Sequence, residues 1–171
     1  MTGIFIMIAA VLAALVVLPK KAGAMTETKV LSPDSTEALI VENAKRFALD
    51  AALIKAFIRV ESNFDRNAVN PIGPGNTVVS YGLMQITPAL AEDYGLVHEY
   101  QNVTEAEIAM MMQPATNVRI GSWHVARLFK LYTFEEAVQM YNVGVTGYRN
   151  GRRNADYLAK ITRWYNEYKR A

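Results

Sequence analysis

The residue whose position could do chemistry is Glu61. It follows Phe57 by four and Ile54 by seven, so in a helix it projects from the same face as Ile54, Phe57 and Ile58. A carboxyl on an apolar face near a helix end loses hydration, and its pKa rises by about one to several units. A carboxylic acid kept protonated near neutral pH is what general-acid attack on a glycosidic bond requires. An ion pair with a distant arginine, or a helix end that stays wet, would remove that ability, so periodicity alone does not decide. Other chemistries are excluded more simply. The 171 residues contain no cysteine, which rules out a disulfide framework, an iron–sulfur cluster, a zinc finger and a thiol nucleophile. His98 and His124 lie far apart without metal-site spacing, and neither GxxxxGK[ST] nor GxGxxG occurs. No metal and no cofactor is expected.

Three further stretches accompany Glu61-Ser62: Ser80-Tyr81-Gly82-Leu83-Met84-Gln85, Met140-Tyr141-Asn142 and a tyrosine-rich C-terminus. Gly82 would let the backbone pass close to a substrate or to the Glu61 helix, where a Cβ would obstruct it. Met84 offers a polarizable apolar surface for a sugar ring or an acetamido methyl, and Gln85 could orient the Glu61 carboxyl or bind an N-acetyl group. A core methionine and a turn-satisfying amide are the plainer readings of the same residues.

Together these pieces resemble the lytic transglycosylases of the soluble-lytic (SLT) and goose-type lysozyme-like class: an ES pair ending a helix, a GLMQ turn, an AYN-like helix end and a late Tyr. The resemblance spans about residues 35–168. Ala52-Leu53-Ile54, Asn63-Phe64, Ile86-Thr87-Pro88 and Pro114-x-x-Asn117-x-x-x-Gly121 support it. It implies a mainly α, lysozyme-like domain with Glu61 as the catalytic acid, and Ser62, Ser80, Met84, Gln85, Tyr141, Asn142 and Tyr157 as substrate-binding residues. Tyr148 and Tyr165 compete with Tyr157 for the place of the late Tyr. The implied reaction is cleavage of the β-1,4 bond between N-acetylmuramic acid and N-acetylglucosamine in peptidoglycan, closing a 1,6-anhydro ring on the muramic sugar. Asp65 fills a position that varies in the family and reads as structural. Glu61 then has no partner carboxylate, which suits a one-acid mechanism better than the usual pair. A hydrolase on the same site and a non-enzymatic glycan-binding or virion-structural module are the alternatives. Met140 departs from the usual Ala, and either narrows the cleft or fills the core. Asn70 stands where Ser is common, 71–80 lengthens the segment before GLMQ, and Ser80 takes over the role of the usual Ser.

The elements that must position these residues are legible from caps and spacing. Asp34 with Glu37 marks a first helix through Leu49, and Asp50 caps a second, AALIKAFIRVES. Residues 63–80 read as a loop with at most a short β-hairpin. Thr87-Pro88 opens a short helix that Gly95 stops. Thr104/Glu107 and Thr133/Glu136 are capping boxes, and Pro114 to Leu131 is a longer helix. Gly144 ends the Thr133 helix, 144–153 reads as a Gly/Arg-rich loop, and Asn154 caps a last helix bearing Tyr157, Ile161, Trp164, Tyr165 and Tyr168.

Charge and the N-terminus bear on setting. The net charge of +2 comes from Lys20 and Lys21; residues 25–107 hold 12 acids and 6 bases, whereas 108–171 hold 4 acids and 10 bases. This asymmetry predicts a basic C-terminal face suited to an anionic polymer, or else ordinary solvated helix faces. A nucleic-acid partner for Arg149, Arg152 and Arg153 is not expected, because no recognised fold motif accompanies them. Ile4 to Leu18 is an uncharged apolar run followed by Pro19-Lys20-Lys21 and Ala22-Gly23-Ala24. It fits a signal peptide or a membrane anchor over 1–24, followed by a linker over 25–34 and the lysozyme-like domain over 35–171. A start of translation at Met25 is a third reading. The expected setting is the cell envelope or periplasm, by export or by membrane attachment through residues 4–18. Secretion, conjugation or phage assembly, including a place in the virion, are its candidate contexts.

Overall fold

The computed structural model describes residue 32, residues 35–71 and residues 78–170. The chain divides into two units, Met1–Val30 and Leu31–Ala171, and every described residue belongs to the second. The apolar run Ile4–Leu18 and the expectations attached to it lie outside the described residues. Among the described residues no helix is long and apolar enough to cross a membrane.

Among the described residues this unit holds eight α-helices, a 3₁₀ turn at Tyr100–Asn102 and a minimal hairpin: α1 (Thr36–Phe47), α2 (Ala51–Ser62), β1 (Val69–Asn70), β2 (Ser80–Tyr81), α3 (Pro88–Tyr94), α4 (Glu105–Met112), α5 (Pro114–Leu131), α6 (Phe134–Val143), α7 (Val145–Arg149) and α8 (Ala155–Tyr168). Local chemistry sets most boundaries. The Asp50 carboxylate accepts from the Ala52 N–H, starting α2. Thr87 caps α3 with Pro88 in its first turn, and Gly95 closes it in the left-handed region. Both predicted capping boxes form, Thr104 with Glu107 and Thr133 with Glu136. Two expectations need correction. Helix α1 is capped by Ser35, whose hydroxyl accepts from the Ala38 N–H at 3.1 Å, one residue beyond the expected Asp34. The run 144–153 is not loop throughout, because Val145–Arg149 close a short helix.

The hairpin is as small as expected: two antiparallel pairs, Val69 with Tyr81 and Asn70 with Ser80. The core gathers the apolar faces of α1, α2 and α5 around the segment that follows β2. Ile40, Ile54, Phe57, Ile58, Leu83, Met84, Ile86, Val118 and Ile120 are all fully buried. Met140 joins Leu128 and Ala137 in a smaller cluster, so the larger side chain at this position fills the core. Helix α8 runs antiparallel along α2. Tyr157 meets the C-terminal end of α2, and Tyr165 donates to Asp50 at its N-terminal end, at 3.0 Å.

Asp50 therefore serves as the cap of α2 and as an anchor for the far end of α8, with Lys169 also 3.9 Å away. Asp50→Ala is expected to lower unfolding stability by about 1–2 kcal/mol, read from denaturant melts.

Candidate active site

Glu61 stands in the last turn of α2. Although the residue keeps some exposure, its carboxyl is packed closely enough that lost hydration raises the pKa from 4.5 to about 7. The Tyr157 hydroxyl, from the first turn of α8, donates to Glu61 Oε1 and pulls the pKa partly back down. No lysine or arginine among the described residues pairs with Glu61. Among the described residues no second carboxylate contributes to its shift, and Asp65 is engaged locally, accepting from the Asn67 N–H at 2.9 Å. The competitors for the late Tyr lie elsewhere: Tyr165 on Asp50 and Tyr148 under Arg153.

The segment Gly82–Gln85 forms a tight turn closed by paired backbone bonds between Tyr81 and Ile86. Four side chains hold it. Ser62, next to Glu61, donates to the Leu83 carbonyl at 2.8 Å. Asn117 of α5 accepts from the Met84 N–H at 2.7 Å and donates to the carbonyls of Tyr81 and Met111 at 2.7 and 2.8 Å. Tyr141 of α6 donates to the Met84 carbonyl at 2.8 Å. Gln85 donates to the carbonyls of Gly82 and Ala68 while accepting from Ser80. The peptide groups on either side of Met84 are thus fixed from three helices, α2, α5 and α6. Gly82 has φ +71°, and a Cβ on it would lie 2.5 Å from the Asn117 amide, so the neighbour that demands glycine is Asn117. Backbone strain collects at the same place. Phe64 and Gln85 both take positive φ, of 67° and 48°.

Each predicted site residue can now be placed. Glu61 and Tyr157 touch, and Tyr141 is near enough for the Glu61 charge to raise its pKa along with that of Tyr157, both well above the tyrosine norm mainly through burial. The Tyr141 ring packs 4.6 Å from that of Phe57, one turn before Glu61. Ser62, Ser80 and Gln85 direct their polar atoms into the turn and hairpin. Met84 is completely buried against Gly121 and Ser122, so its thioether presents no surface to a ligand. Asn142 is exposed, and its Oδ1 accepts from Asn154 at the start of α8. Sequence reasoning noted Asn117 as part of a pattern and missed its role. The available signal was a polar residue on the apolar face of α5, which inside a protein demands partners. His124 is held near pKa 4 by burial and the Arg127 charge, and is neutral at physiological pH. Among the described residues no group of three or more His, Asp or Glu could hold a metal.

Of the residues singled out by the resemblance, Glu61 and Tyr157 are in direct contact, with the clamped turn beside them. The model of the Transglycosylase SLT domain family matches residues 38–163. The chain belongs to this family. Among solved structures it is similar to the lytic transglycosylase Slt of Pseudomonas aeruginosa, determined as an inactive glutamate-to-glutamine mutant. The two share 22% identity and a TM-score of 0.51 over 75% of this chain and 21% of that one. This chain therefore spans about a fifth of that protein's length, and the likeness is one of fold. No curated protein matches the chain.

In this SLT domain, the raised pKa of Glu61 is also a statement about stability. An acid whose folded pKa lies above its unfolded value binds more protons in the folded state, so stability falls as pH rises from 4.5 through about 7. Between about pH 4 and about pH 8 the loss is on the order of 3 kcal/mol. Glu61→Gln is expected to remove most of that slope and to melt higher than the wild type in mild alkali, by thermal denaturation across the pH range.

Proposed function

We propose that this protein is a peptidoglycan lytic transglycosylase with Glu61 as its single general acid and base. The observation that carries the reading is the unpaired, desolvated Glu61 carboxyl under the Tyr157 hydroxyl, with its pKa near 7. Near neutral pH a large fraction of the group is protonated and can give its proton to the oxygen linking N-acetylmuramic acid to N-acetylglucosamine. As that bond breaks, the 2-acetamido group of the muramic sugar stabilises the positive anomeric carbon. The carboxylate left on Glu61 keeps the hydrogen bond from Tyr157, which favours the ionised form. It then takes the proton of the sugar's own 6-hydroxyl, whose oxygen closes on the anomeric carbon to form the 1,6-anhydro ring. The first proton leaves on the freed 4-hydroxyl of the departing sugar and the 6-hydroxyl proton replaces it on Glu61, and attack from within one sugar gains from proximity. That no partner carboxylate among the described residues contributes to the Glu61 shift supports this route over one that needs a second carboxyl.

The remaining predicted residues are assigned as follows. Tyr157 tunes Glu61. Ser62, Ser80, Gln85 and Tyr141 hold the turn that forms one wall of the glycan site, with the peptide groups around Met84 as its rigid part. Asn142 lies on its rim. A peptidoglycan substrate places the protein in the cell envelope, anchored, exported or carried by a virion.

Three outcomes test this. Glu61→Gln is expected to reduce cleavage of purified peptidoglycan about a thousandfold without loss of fold. Mass spectrometry of the wild-type products is expected to show muropeptides lighter by one water than hydrolysed ones, and products of full mass would assign a hydrolase. The wild-type kcat/KM is expected to fall above about pH 7, as Glu61 loses its proton. In Tyr157→Phe, which removes the bond that lowers the Glu61 pKa, that alkaline limb moves to higher pH while the rate drops roughly tenfold or more.

A further inference from the structure

The segment joining α6 to α8 holds three arginines, each fixed by the fold. Arg152 lies over Gly147, where a Cβ would come within 2.8 Å of its Cζ, and donates to the Val143 carbonyl at 3.0 Å. Arg153 stacks 3.5 Å above the centre of the Tyr148 ring and donates to the carbonyls of Tyr148 and Arg152, both at 2.7 Å. Arg149 donates to the Tyr132 hydroxyl at 3.3 Å. All three are exposed, and none lies within ion-pair distance of a carboxylate among the described residues. Glu136 senses the Arg153 charge, but its carboxylate is engaged by Thr133 in the cap of α6.

Such groups are ordered at little further entropic cost, because their partners are carbonyls and aromatic atoms that leave the charge uncompensated and several N–H donors free. Their place is also specific. The C-terminus of α6 meets the N-terminus of α8 through Asn154 Nδ2 to Asn142 Oδ1 at 2.9 Å, and Asn154 caps the turn that carries Tyr157. The cluster therefore ends at the residue before Asn154, the cap of the helical turn that carries Tyr157.

We infer that Arg149, Arg152 and Arg153 form a rim subsite for the free carboxylates of the peptide stems on a peptidoglycan strand. This deepens the proposed activity and rests on it. The sugar backbone itself is uncharged apart from its lactyl groups, which the stems cap, so the stems are the anionic feature a cationic rim can read. Preorganised guanidiniums recognise carboxylates through paired hydrogen bonds. Arg152 is committed to the α6 end, so the test uses the other two.

With the full chain, Arg149→Gln/Arg153→Gln is expected to raise KM on peptide-bearing strands roughly fivefold with kcat unchanged. KM on control strands, stripped of peptide by an amidase and then converted to methylamides so that the freed lactyl carboxylates are neutral, is expected to shift less than twofold. Independently of any variant, raising the salt concentration is expected to raise the wild-type KM on peptide-bearing strands and leave that on control strands in place. Equal shifts on both substrates, or no shift, overturn the subsite. Loss of binding to phosphatidylglycerol vesicles with both KM values unchanged also overturns it, and assigns the cluster to a membrane. Sedimentation of strands with Glu61→Gln separates this inference from the activity. Peptide-dependent binding alongside an inert wild type refutes the activity and keeps the subsite. Cleavage of both strand types with one KM refutes the subsite and keeps the activity.

Discussion

A carboxyl that is to carry a proton near neutral pH must be kept from water, and it must still be able to give that proton up. Burial raises the Glu61 pKa and the Tyr157 hydroxyl lowers it; the balance lies near 7. With burial alone the group would resist giving its proton up and make a poor acid. With more donors it would ionise well below neutrality and have no proton to give. The two partners stand 96 residues apart in sequence, so the antiparallel pairing of α2 with α8 is the condition for that balance. Asp50, Tyr165 and Lys169 tie the opposite end of the same pair.

A shielded carboxyl needs a wall beside it that does not move, and here the wall is a turn whose backbone polar groups are satisfied from outside. Without outside partners the turn would leave the Met84 N–H and the Leu83 and Met84 carbonyls unpaired, each at a cost of about 1–3 kcal/mol. Asn117, Tyr141 and Ser62 supply those partners from three different helices. Positive φ at Phe64 and Gln85 stores strain on either side of the turn, and such strain persists where surrounding contacts over-determine the backbone. Close approach matters as much. Glycine at 82 admits the Asn117 amide and glycine at 121 admits the Met84 side chain, so the same two helical turns of α5 dictate both ends of the segment.

What could be read from the sequence follows from the range of each interaction. Caps are contacts within three residues, so Asp50, Thr87, Thr104, Thr133 and Asn154 marked their helices correctly. Ser35 was missed in favour of Asp34 because both can cap and they are adjacent. The short α7 was hidden by a Gly/Arg-rich composition; what stabilises it is Arg152 and Arg153 folding back onto carbonyls, which no helical periodicity reveals. Glu61 was legible because its apolar neighbours lie on its own helix. The late Tyr was not settled by sequence, since Tyr148, Tyr157 and Tyr165 differ only in which distant residue each meets. Chemical type suggested a sugar-facing role for Met84 and Gln85, but Met84 is buried against Gly121 and the Gln85 amide is taken up by Ser80 and the Ala68 carbonyl, contacts that residue type alone does not disclose.

The charge asymmetry between the two halves acquires a physical form in how the basic residues are held. In the C-terminal half, Arg127 and Lys169 have carboxylates within 4 Å, and both pairs are at the surface, where such contacts contribute little. Aromatic rings hold much of the rest. Arg153 lies on Tyr148 and Arg163 on Trp164, with Arg59 of α2 on that same ring. An ion pair cancels the field it is made from, whereas a ring or a carbonyl fixes a guanidinium and leaves its charge standing. A surface built this way keeps a positive potential in a defined shape. That is of little use to folding and is suited to meeting an extended anionic polymer.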